Sequence, residues 1–138
     1  HMEDSDGNIV QTVDTEYKRQ VISSETSKKM SEILARNASE GTANNGYVEG
    51  YRIAGKTGTS EKVDEMNKNP ERGMQYIASY CGYAPAENPK YALLVFFDEP
   101  QKKLIGGVNE GNAVAGPIFS AILEKIFPYL GFKTQYTE

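Results

Sequence analysis

The chain has 138 residues and a formal net charge of −4, from 15 lysine and arginine residues against 19 aspartate and glutamate residues. Its single cysteine excludes a disulfide scaffold, and its longest apolar run, residues 92–97, is far shorter than the roughly 18 residues that a membrane span needs. The acidic balance argues against a nucleic-acid partner. A hydrophobic fraction of 38% is enough for one folded unit with its own core.

The single histidine is His1, and His1-Met2 matches what a cut affinity tag leaves behind. We therefore interpret residues 1–2 as a tag remnant and expect no native histidine in the segment. A Ser-His-Asp triad and a histidine zinc site are then excluded, so we predict no metal and no cofactor. Acid–base chemistry near neutral pH would fall to lysine, carboxylate or tyrosine side chains.

The first part of the chain predicts a hairpin and then a helix. Asp6-Gly7 is a strong turn dipeptide, and Ile9–Val13 is expected to be the second strand of a hairpin whose first strand is missing. Residues Ser24 to Glu40 have helical periodicity, with Ser23 or Ser24 as the cap. The predicted core face of this helix consists of Met30, Ile33, Leu34 and Ala38.

The rest of the chain predicts three strands and a second helix. Residues 51–60 are compatible with a strand, 63–73 with an exposed charged loop, and 76–83 with an alternating strand. The apolar run 91–98 predicts a strand buried on both faces. Short connections favour antiparallel neighbours, so the predicted fold class is α+β, with a three-strand antiparallel meander packed by the two helices. The second helix is expected over 113–127, with Pro117 in its first turn and with Ile118, Ile122 and Ile126 on its core face.

Two further sites are interpreted structurally. Cys81 lies in a predicted strand and is expected to be a small buried side chain, because one cysteine without histidine makes a poor metal site. Asp98-Glu99 ends a strand and is expected to form a turn or a surface ion pair.

A nucleotide-binding motif is one interpretation of the central segment. Residues 50–57 satisfy the phosphate-loop pattern of Gly, four residues, Gly, Lys and Thr. A phosphate loop must follow a buried strand and open a helix, so that backbone N–H groups face the phosphates. Polar residues precede Gly50, and Gly58 follows the motif where a helix should begin. The context therefore leaves a phosphate-loop protein as a remote alternative.

A second motif uses the same residues, namely Lys56-Thr57-Gly58-Thr59 on a predicted strand. Eight further segments contribute to one family resemblance, and they are 19–23, 39–42, 50–55, 76–85, 88–91, 98–100, 106–107 and 115–119. Together with the Lys-Thr-Gly element they resemble class B penicillin-binding proteins, the peptidoglycan D,D-transpeptidases of division and sporulation. The resemblance implies a partial fold of the penicillin-binding-protein and β-lactamase type. Residues 3–130 would be the C-terminal portion of a transpeptidase domain and 131–138 a tail, while Val108–Asn112 departs from the usual link before the last helix.

The resemblance also implies a role for each residue of the Lys-Thr-Gly element. Lys56 would supply positive charge and hydrogen bonds near the nucleophile. The hydroxyls of Thr57 and Thr59 would bind the substrate carboxylate, and Gly58 would let the acyl group lie close to the strand. The backbone N–H of Thr59 would form half of the oxyanion hole.

The two other motifs of the family are missing from this sequence. No serine is followed three positions later by lysine, and no serine is followed two positions later by asparagine. The serine nucleophile is therefore absent, and the isolated chain is expected to be inactive. In the whole domain, the resemblance implies an acyl-serine intermediate and predicts stem peptides ending in D-Ala-D-Ala, and β-lactams, as ligands.

Several expectations concern partners and location. The parent would be membrane-anchored, with this domain on the extracytoplasmic face of a Gram-positive cell, and the fragment itself would be soluble. Exposed strand edges would favour self-association. A different class of function, a non-catalytic module that binds division or spore-wall proteins, also stays open.

Overall fold

The computed structural model describes residues 1–14, 16–101 and 110–134. These residues form a short hairpin and a three-stranded antiparallel sheet with helices on both of its faces, which confirms the predicted α+β class and the meander. The strands are β1 (Met2–Glu3), β2 (Ile9–Gln11), β3 (Ala54–Glu61), β4 (Tyr76–Ala84) and β5 (Tyr91–Asp98). The helices are α1 (Ser24–Glu40), α2 (Val63–Lys68), α3 (Gly111–Val114) and α4 (Gly116–Tyr129).

The three long strands pair in sequence order, so β3 and β5 are the two edges of the sheet. Pairing between β3 and β4 is regular from Ala54 opposite Tyr83 to Glu61 opposite Tyr76. Directly opposed residues in an antiparallel pair point to the same face. The register therefore assigns every side chain of the Lys-Thr-Gly strand to one face or the other.

The main core lies between the sheet and α4. The alternation of β4 directs the ring of Tyr80 toward α4, where its centroid lies 4.4 Å from that of Phe119. Tyr51 and Phe127 form a second ring pair, with centroids 4.5 Å apart. Such ring pairs add about 0.5–1.5 kcal/mol beyond the burial of their area, so this face provides most of the packing.

The opposite face of the sheet is covered at one end. The buried contacts of α1 there involve small residues, Ala35 packing with Ala54 and Ala86, with Tyr83 beside them. The Tyr83 hydroxyl lies 2.9 Å from the Ser31 hydroxyl. This packing holds α1 over the first residues of β3 and leaves the rest of that face without a described cover.

The predicted core face of α4 is wrong, and that of α1 is wrong in part. In α4 the buried side chains are Phe119, Leu123 and Phe127, one position on from the predicted isoleucines, two of which, Ile118 and Ile126, are exposed. The large aromatic rings reach Tyr80 and Tyr51, and they set the rotation of the helix. In α1 the prediction is confirmed for Ala38, which is fully buried, and for Leu34, which is partly buried against the core. It is wrong for Met30 and Ile33, which are exposed, because the buried contacts of this helix are made by its small alanine side chains.

The prediction that β5 is buried on both faces is also wrong. Leu94 and Phe96 are 58% and 61% exposed, whereas Leu93 and Val95 pack against the core. The reason is that β5 is an edge strand with α4 packed on one face and no described helix packed closely on the other.

Three boundaries differ from expectation. The first strand of the hairpin is present, because Met2–Glu3 pairs with β2. The segment predicted as a loop after β3 contains α2 and a 3₁₀ turn, Pro70–Arg72, both on the surface. The terminal helix begins earlier, as α3 followed by α4, with Pro117 in the first turn of α4. Residues 106–109 and 135–138 lie outside the described part of the chain. No helix within that part is long and apolar enough to cross a bilayer.

Candidate functional site

The Lys-Thr-Gly residues lie in β3 with alternating orientations. Lys56 is opposite Cys81 and Thr57 is opposite Tyr80, so lysine and cysteine share the face that α1 only partly covers. Lys56 is exposed there. Cys81 is exposed as well, and the prediction that it is buried is wrong, because the register places it on the uncovered face. Thr57 and Thr59 lie on the core-side face.

The backbone of β3 presents alternate residues to the open edge. Just beyond the strand, the Lys62 N–H donates to the Gln75 carbonyl at 2.9 Å in the same register. The backbone N–H and C=O groups of the even-numbered residues of β3 therefore point toward β4 and hydrogen-bond with it. The Gly55 carbonyl instead accepts a hydrogen bond from outside the sheet, from the side-chain amide of Asn37 at 2.9 Å. In an antiparallel ladder these orientations alternate, so Thr57 and Thr59 also direct their N–H and C=O groups outward.

The ammonium group of Lys56 lies at this same edge. Its Nζ donates to the outward carbonyl of Thr57 at 2.8 Å. A charge at the end of a flexible stem, next to outward backbone groups, is suited to an anionic group on a ligand that pairs with the strand. The geometry thus brings together a cation, two outward backbone N–H donors and an edge that is unpaired among the described strands.

The hydroxyl of Thr59 has a fixed partner. Its Oγ1 accepts a hydrogen bond from the backbone N–H of Gly111 at 3.1 Å. A hydroxyl has one donor and two acceptor lone pairs, so this contact occupies a lone pair and leaves the O–H to donate elsewhere. Gly111 is packed so closely that a Cβ there would lie 2.2 Å from the Ser79 carbonyl oxygen and 2.4 Å from that of Gly58.

A network of hydrogen bonds between asparagines continues from Gly111 along the core-side face. The Asn112 side chain accepts from the Asn45 N–H at 3.0 Å and donates to the Asn44 side-chain oxygen at 3.0 Å. The Asn45 amide donates to the Asn112 carbonyl at 3.1 Å. The sequence did not predict this asparagine network because its partners are 67 or 68 positions apart. The only sign of it in the sequence was the departure of residues 108–112 from the usual link before the last helix.

The Gly55 end of the edge is closely packed. The Tyr80 hydroxyl donates to the Ala43 carbonyl at 2.7 Å, and burial raises the pKa of Tyr80 to about 12. A Cβ at Gly55 would lie 2.3 Å from the Tyr80 hydroxyl, and one at Gly46 would lie 2.1 Å from its ring. Both positions therefore require glycine for close approach, independently of backbone conformation.

The connection after β3 is held to the end of β5 by ion pairs. Lys62 donates to Asp98 at 3.1 Å and to Glu99 at 2.8 Å, and Arg72 also donates to Glu99. These hydrogen bonds hold the pKa of the Glu99 carboxyl below its ordinary value and raise the pKa of Lys62. Glu99 has a φ of 52°, in the left-handed region, and its carboxylate has two cationic partners. The expected surface ion pair at Asp98-Glu99 is therefore present.

The structure does not have the geometry of a phosphate loop. Lys56 and Thr57 lie inside β3, and the next helix begins only at Val63. The backbone N–H groups of residues 50–57 therefore do not converge at a helix start, as phosphate binding requires.

Comparisons with known proteins identify the family of the chain. The family model described as penicillin binding protein transpeptidase domain matches residues 1–124. Stage V sporulation protein D of Bacillus subtilis is 42% identical over 116 residues, which cover 84% of this chain and 17% of that protein. The peptidoglycan D,D-transpeptidase FtsI homolog of Chlorokybus atmophyticus is 36% identical over 112 residues, covering 81% of this chain and 16% of that protein. The chain thus spans about one sixth of these relatives.

Solved structures give the same result. The TP domain of penicillin-binding protein 3 from Burkholderia pseudomallei aligns with a TM-score of 0.63 at 33% identity, covering 83% of this chain and 32% of that one. A peptidoglycan synthetase from Bifidobacterium adolescentis aligns over 99% of this chain and 23% of that one, with a TM-score of 0.69 at 24% identity, and supports the fold alone. The chain therefore belongs to the penicillin-binding protein transpeptidase domain family.

Proposed function

We propose that the β3 edge is the carboxylate-binding strand of a peptidoglycan D,D-transpeptidase and that the parent protein cross-links stem peptides through an acyl-serine intermediate. The observation that carries this proposal is the Lys56 ammonium on the outward Thr57 carbonyl at 2.8 Å, at an edge with which no other described strand pairs. Membership of the transpeptidase family supports the reaction class. The ligands would be stem peptides ending in D-Ala-D-Ala, and β-lactams.

Each residue of the edge has a proposed role. Lys56 attracts the ligand carboxylate and adds positive charge near the nucleophile. The Thr59 N–H, which points outward, donates to the oxyanion formed during acyl transfer. The Thr57 and Thr59 hydroxyls donate to the carboxylate, and the Gly111 N–H on Thr59 Oγ1 leaves that hydroxyl's proton available. Gly58 has no side chain and so lets the acyl group lie close to the strand.

The nucleophile must come from outside these 138 residues, because the sequence holds neither Ser-x-x-Lys nor Ser-x-Asn. In the acylation step the serine oxygen forms a bond to the carbonyl carbon, the terminal D-Ala leaves as an amine, and the serine proton passes to the leaving group. An amine of a neighbouring strand then takes the acyl group and releases the serine. The isolated chain would bind a ligand without reacting with it.

Covalent labelling tests this proposal. The gene upstream of Asp4 should encode both missing motifs, and a polypeptide extended to include them should gain the mass of one fluorescent penicillin, whereas the 138-residue chain should gain none. In the extended protein, Lys56→Met should slow acylation by about a hundredfold, the scale seen when one electrostatic donor is removed. Lys68→Met, at an exposed site in α2, is the matched control and should have no effect. A stable adduct on the 138-residue chain would falsify the proposal.

The location and partners are part of the same proposal. Because peptidoglycan is built outside the cytoplasmic membrane, we place the domain on the extracytoplasmic face of a membrane-anchored parent in a Gram-positive cell. The name of the B. subtilis relative supports a role in sporulation, and that of the FtsI relatives supports division. Division or spore-wall proteins would then be partners. The alternative, a non-catalytic binding module, predicts that the upstream gene lacks the two motifs.

A further inference from the structure

A circuit of contacts leads from the core to the side chain of Thr59. It begins at the closed end of β3, where the Tyr80 ring lies so close to Gly55 that no Cβ fits there. The Tyr80 hydroxyl donates to the Ala43 carbonyl at 2.7 Å, directly before the 3₁₀ turn Asn44–Gly46. Because Tyr80 belongs to β4, this bond anchors the turn that follows α1 to the sheet.

Asn112 joins the anchored turn to α3. Its Oδ1 accepts from the Asn45 N–H and its Nδ2 donates to the Asn44 side-chain oxygen, both at 3.0 Å. The Asn45 side chain donates to the Asn112 carbonyl at 3.1 Å. The carboxamide of Asn112 is therefore held at both of its polar atoms, and its backbone is held as well.

Support from outside is what α3 requires. The helix is a single turn of four residues, and its N-cap residue Glu110 forms no capping hydrogen bond through its side chain in the described part of the chain. A lone helical turn fixes several dihedral angles for one hydrogen bond and is not stable by itself. Gly111 and Val114 are buried against the fold, but apolar packing is non-directional. The orientation of α3 therefore depends on the directional hydrogen bonds of Asn112.

This orientation decides where one backbone N–H of α3 points. The Gly111 N–H donates to Thr59 Oγ1 at 3.1 Å. A threonine side chain has three staggered χ1 rotamers, and each places Oγ1 at a different position. The hydrogen bond from Gly111 therefore selects one rotamer of Thr59. In that rotamer the hydroxyl accepts from α3 and keeps its own proton for another partner.

We infer that Asn112 is a positioning residue, which holds the Thr59 hydroxyl in the one rotamer that α3 selects, through the N–H of Gly111. This inference rests on the proposed function, in which the Thr59 hydroxyl contacts the ligand, and it adds a residue that contacts no ligand itself. Without the Asn112 side chain, α3 stays packed beside β3 but its N–H is no longer aligned. Thr59 then populates other rotamers, and the affinity for the ligand falls with the fraction of chains in the competent one.

The rotamer of Thr59 tests the inference without any ligand. In the 138-residue chain labelled with ¹⁵N and ¹³C, the three-bond couplings of Thr59 Cγ2 to the backbone nitrogen and carbonyl carbon give its χ1 populations. We expect one dominant rotamer in the wild-type chain. In Asn112→Ala the ratio of that rotamer to the others should fall at least about threefold, the effect of weakening one ordinary hydrogen bond.

Two further variants bracket this effect. Asn112→Asp keeps the acceptor for the Asn45 N–H but cannot donate to Asn44, so its rotamer ratio should lie between those of the wild-type chain and Asn112→Ala. Ser120→Ala is the matched control, because it also removes an exposed side-chain hydrogen bond, to the Pro117 carbonyl within α4. It should keep the wild-type ratio.

Ligand affinity provides the second readout, through a double-mutant cycle. Thr59→Val removes the hydroxyl and should weaken binding of N-acetyl-D-Ala-D-Ala by about tenfold, whereas Asn112→Ala should weaken it by about threefold, since fewer chains have the competent rotamer. The double variant should bind no more weakly than Thr59→Val, because Asn112 acts only through that hydroxyl. A merely structural role would instead make the two losses multiply.

The outcomes separate the inference from the proposed function. Unchanged rotamer populations in folded Asn112→Ala overturn the inference and leave the proposed function intact, and so do multiplying losses in the cycle. Wild-type affinity in Thr59→Val overturns the role proposed for that hydroxyl and removes the inference with it. If Asn112→Ala does not fold, Asn44→Ala, which removes one of the three bonds, takes its place in both measurements.

Discussion

The two edges of the sheet, β3 and β5, differ in what they present. At β3 the outward backbone groups meet Asn37 and the Lys56 ammonium, and Gly111 packs against the flank. At β5 the Glu99 N–H donates to the Tyr76 carbonyl at 2.9 Å, so the backbone N–H and C=O groups of the even-numbered residues point outward. The side chains of two of these residues, Leu94 and Phe96, lie mostly exposed on the sheet face away from α4. One edge is polar and partly closed, and the other carries exposed apolar side chains and pairs with no further strand among the described residues.

This difference separates two uses of an edge strand. A polar edge with a closed end can hold a small charged ligand in one register. An apolar edge without lysine, proline or a bulge can pair with another strand, and native proteins usually protect such edges. We therefore expect substitutions at β3 to change ligand binding and local packing, and substitutions at β5 to change association.

The largest stability effect should come from the contact between α3 and β3. Gly111→Ala places a methyl group 2.2 Å from the Ser79 carbonyl oxygen, so the backbone must move and the free energy of unfolding should fall by about 1–3 kcal/mol. Phe96→Ala, a much larger truncation at β5, should change it by less than about 0.5 kcal/mol because the ring is exposed. Urea unfolding measures both, and equal losses would contradict the contrast between the edges.

The next effect concerns Tyr80 at the closed end of β3. Tyr80→Phe removes the hydrogen bond to Ala43 and should lower the free energy of unfolding by about 1 kcal/mol at neutral pH. Because burial raises the pKa of Tyr80 to about 12, the folded state favours the neutral phenol. That stabilisation is complete below about pH 10, the ordinary tyrosine value, and is lost as the pH rises toward 12.

The free energy of unfolding of the wild-type chain and of Tyr80→Phe, measured across this pH range, tests the direction of the pH dependence. The advantage of the wild-type chain over Tyr80→Phe should shrink between pH 10 and 12. Tyr91→Phe, at a half-exposed ring at the start of β5, is the matched control and should keep a constant difference from wild type. A constant advantage for Tyr80 would show that its hydroxyl is not buried in the fold.

Association should depend on β5 alone. We expect the chain to self-associate, and the double substitution Leu94→Lys with Phe96→Lys should reduce it while changing the free energy of unfolding by less than about 0.5 kcal/mol. The double substitution Ile118→Lys with Ile126→Lys introduces the same charge at two exposed apolar sites of α4 and should leave association unchanged. Static light scattering at several concentrations distinguishes them, and a wild-type chain that stays monomeric throughout would count against the proposal.

The smallest effect should come from the ion pairs that join the two edges. Lys62 and Arg72 lower the pKa of Glu99, so the folded state favours the ionised carboxylate. This stabilisation is present above the ordinary glutamate pKa and is lost as the pH falls through the lowered value. Glu99→Gln should therefore flatten the acid limb of the stability profile, while Glu124→Gln, at an exposed site in α4, should not. If wild type and Glu99→Gln lose stability identically at low pH, Glu99 does not contribute to the pH dependence in this way.

Much of the fold could be predicted from local patterns. The capped helix from Ser24, the alternation of β4 and the short connections are properties of neighbouring residues, and the structure agrees with them. The burial of β5 and the rotation of α4 could not be predicted. A continuous apolar run does not reveal whether both faces find partners, and the aromatic contacts of Phe119 and Phe127 depend on distant parts of the chain.

The candidate site divides in the same way. The Lys-Thr-Gly residues were readable from sequence because they are adjacent and their chemistry is evident. Asn37, Gly111 and Asn112 were not, because each reaches its partner across 18 to 68 positions. Their residue types have no special meaning until the fold brings them to the edge.

The most direct test of the carboxylate edge compares two lysines, one beside each edge strand. Lys56 lies in β3, and Lys90 lies directly before β5. Affinity of the chain for N-acetyl-D-Ala-D-Ala should fall about tenfold in Lys56→Met, since a charge-assisted hydrogen bond is lost, and should be unchanged in Lys90→Met. Equal affinities for the two variants would contradict the assignment of the ligand site to the β3 edge.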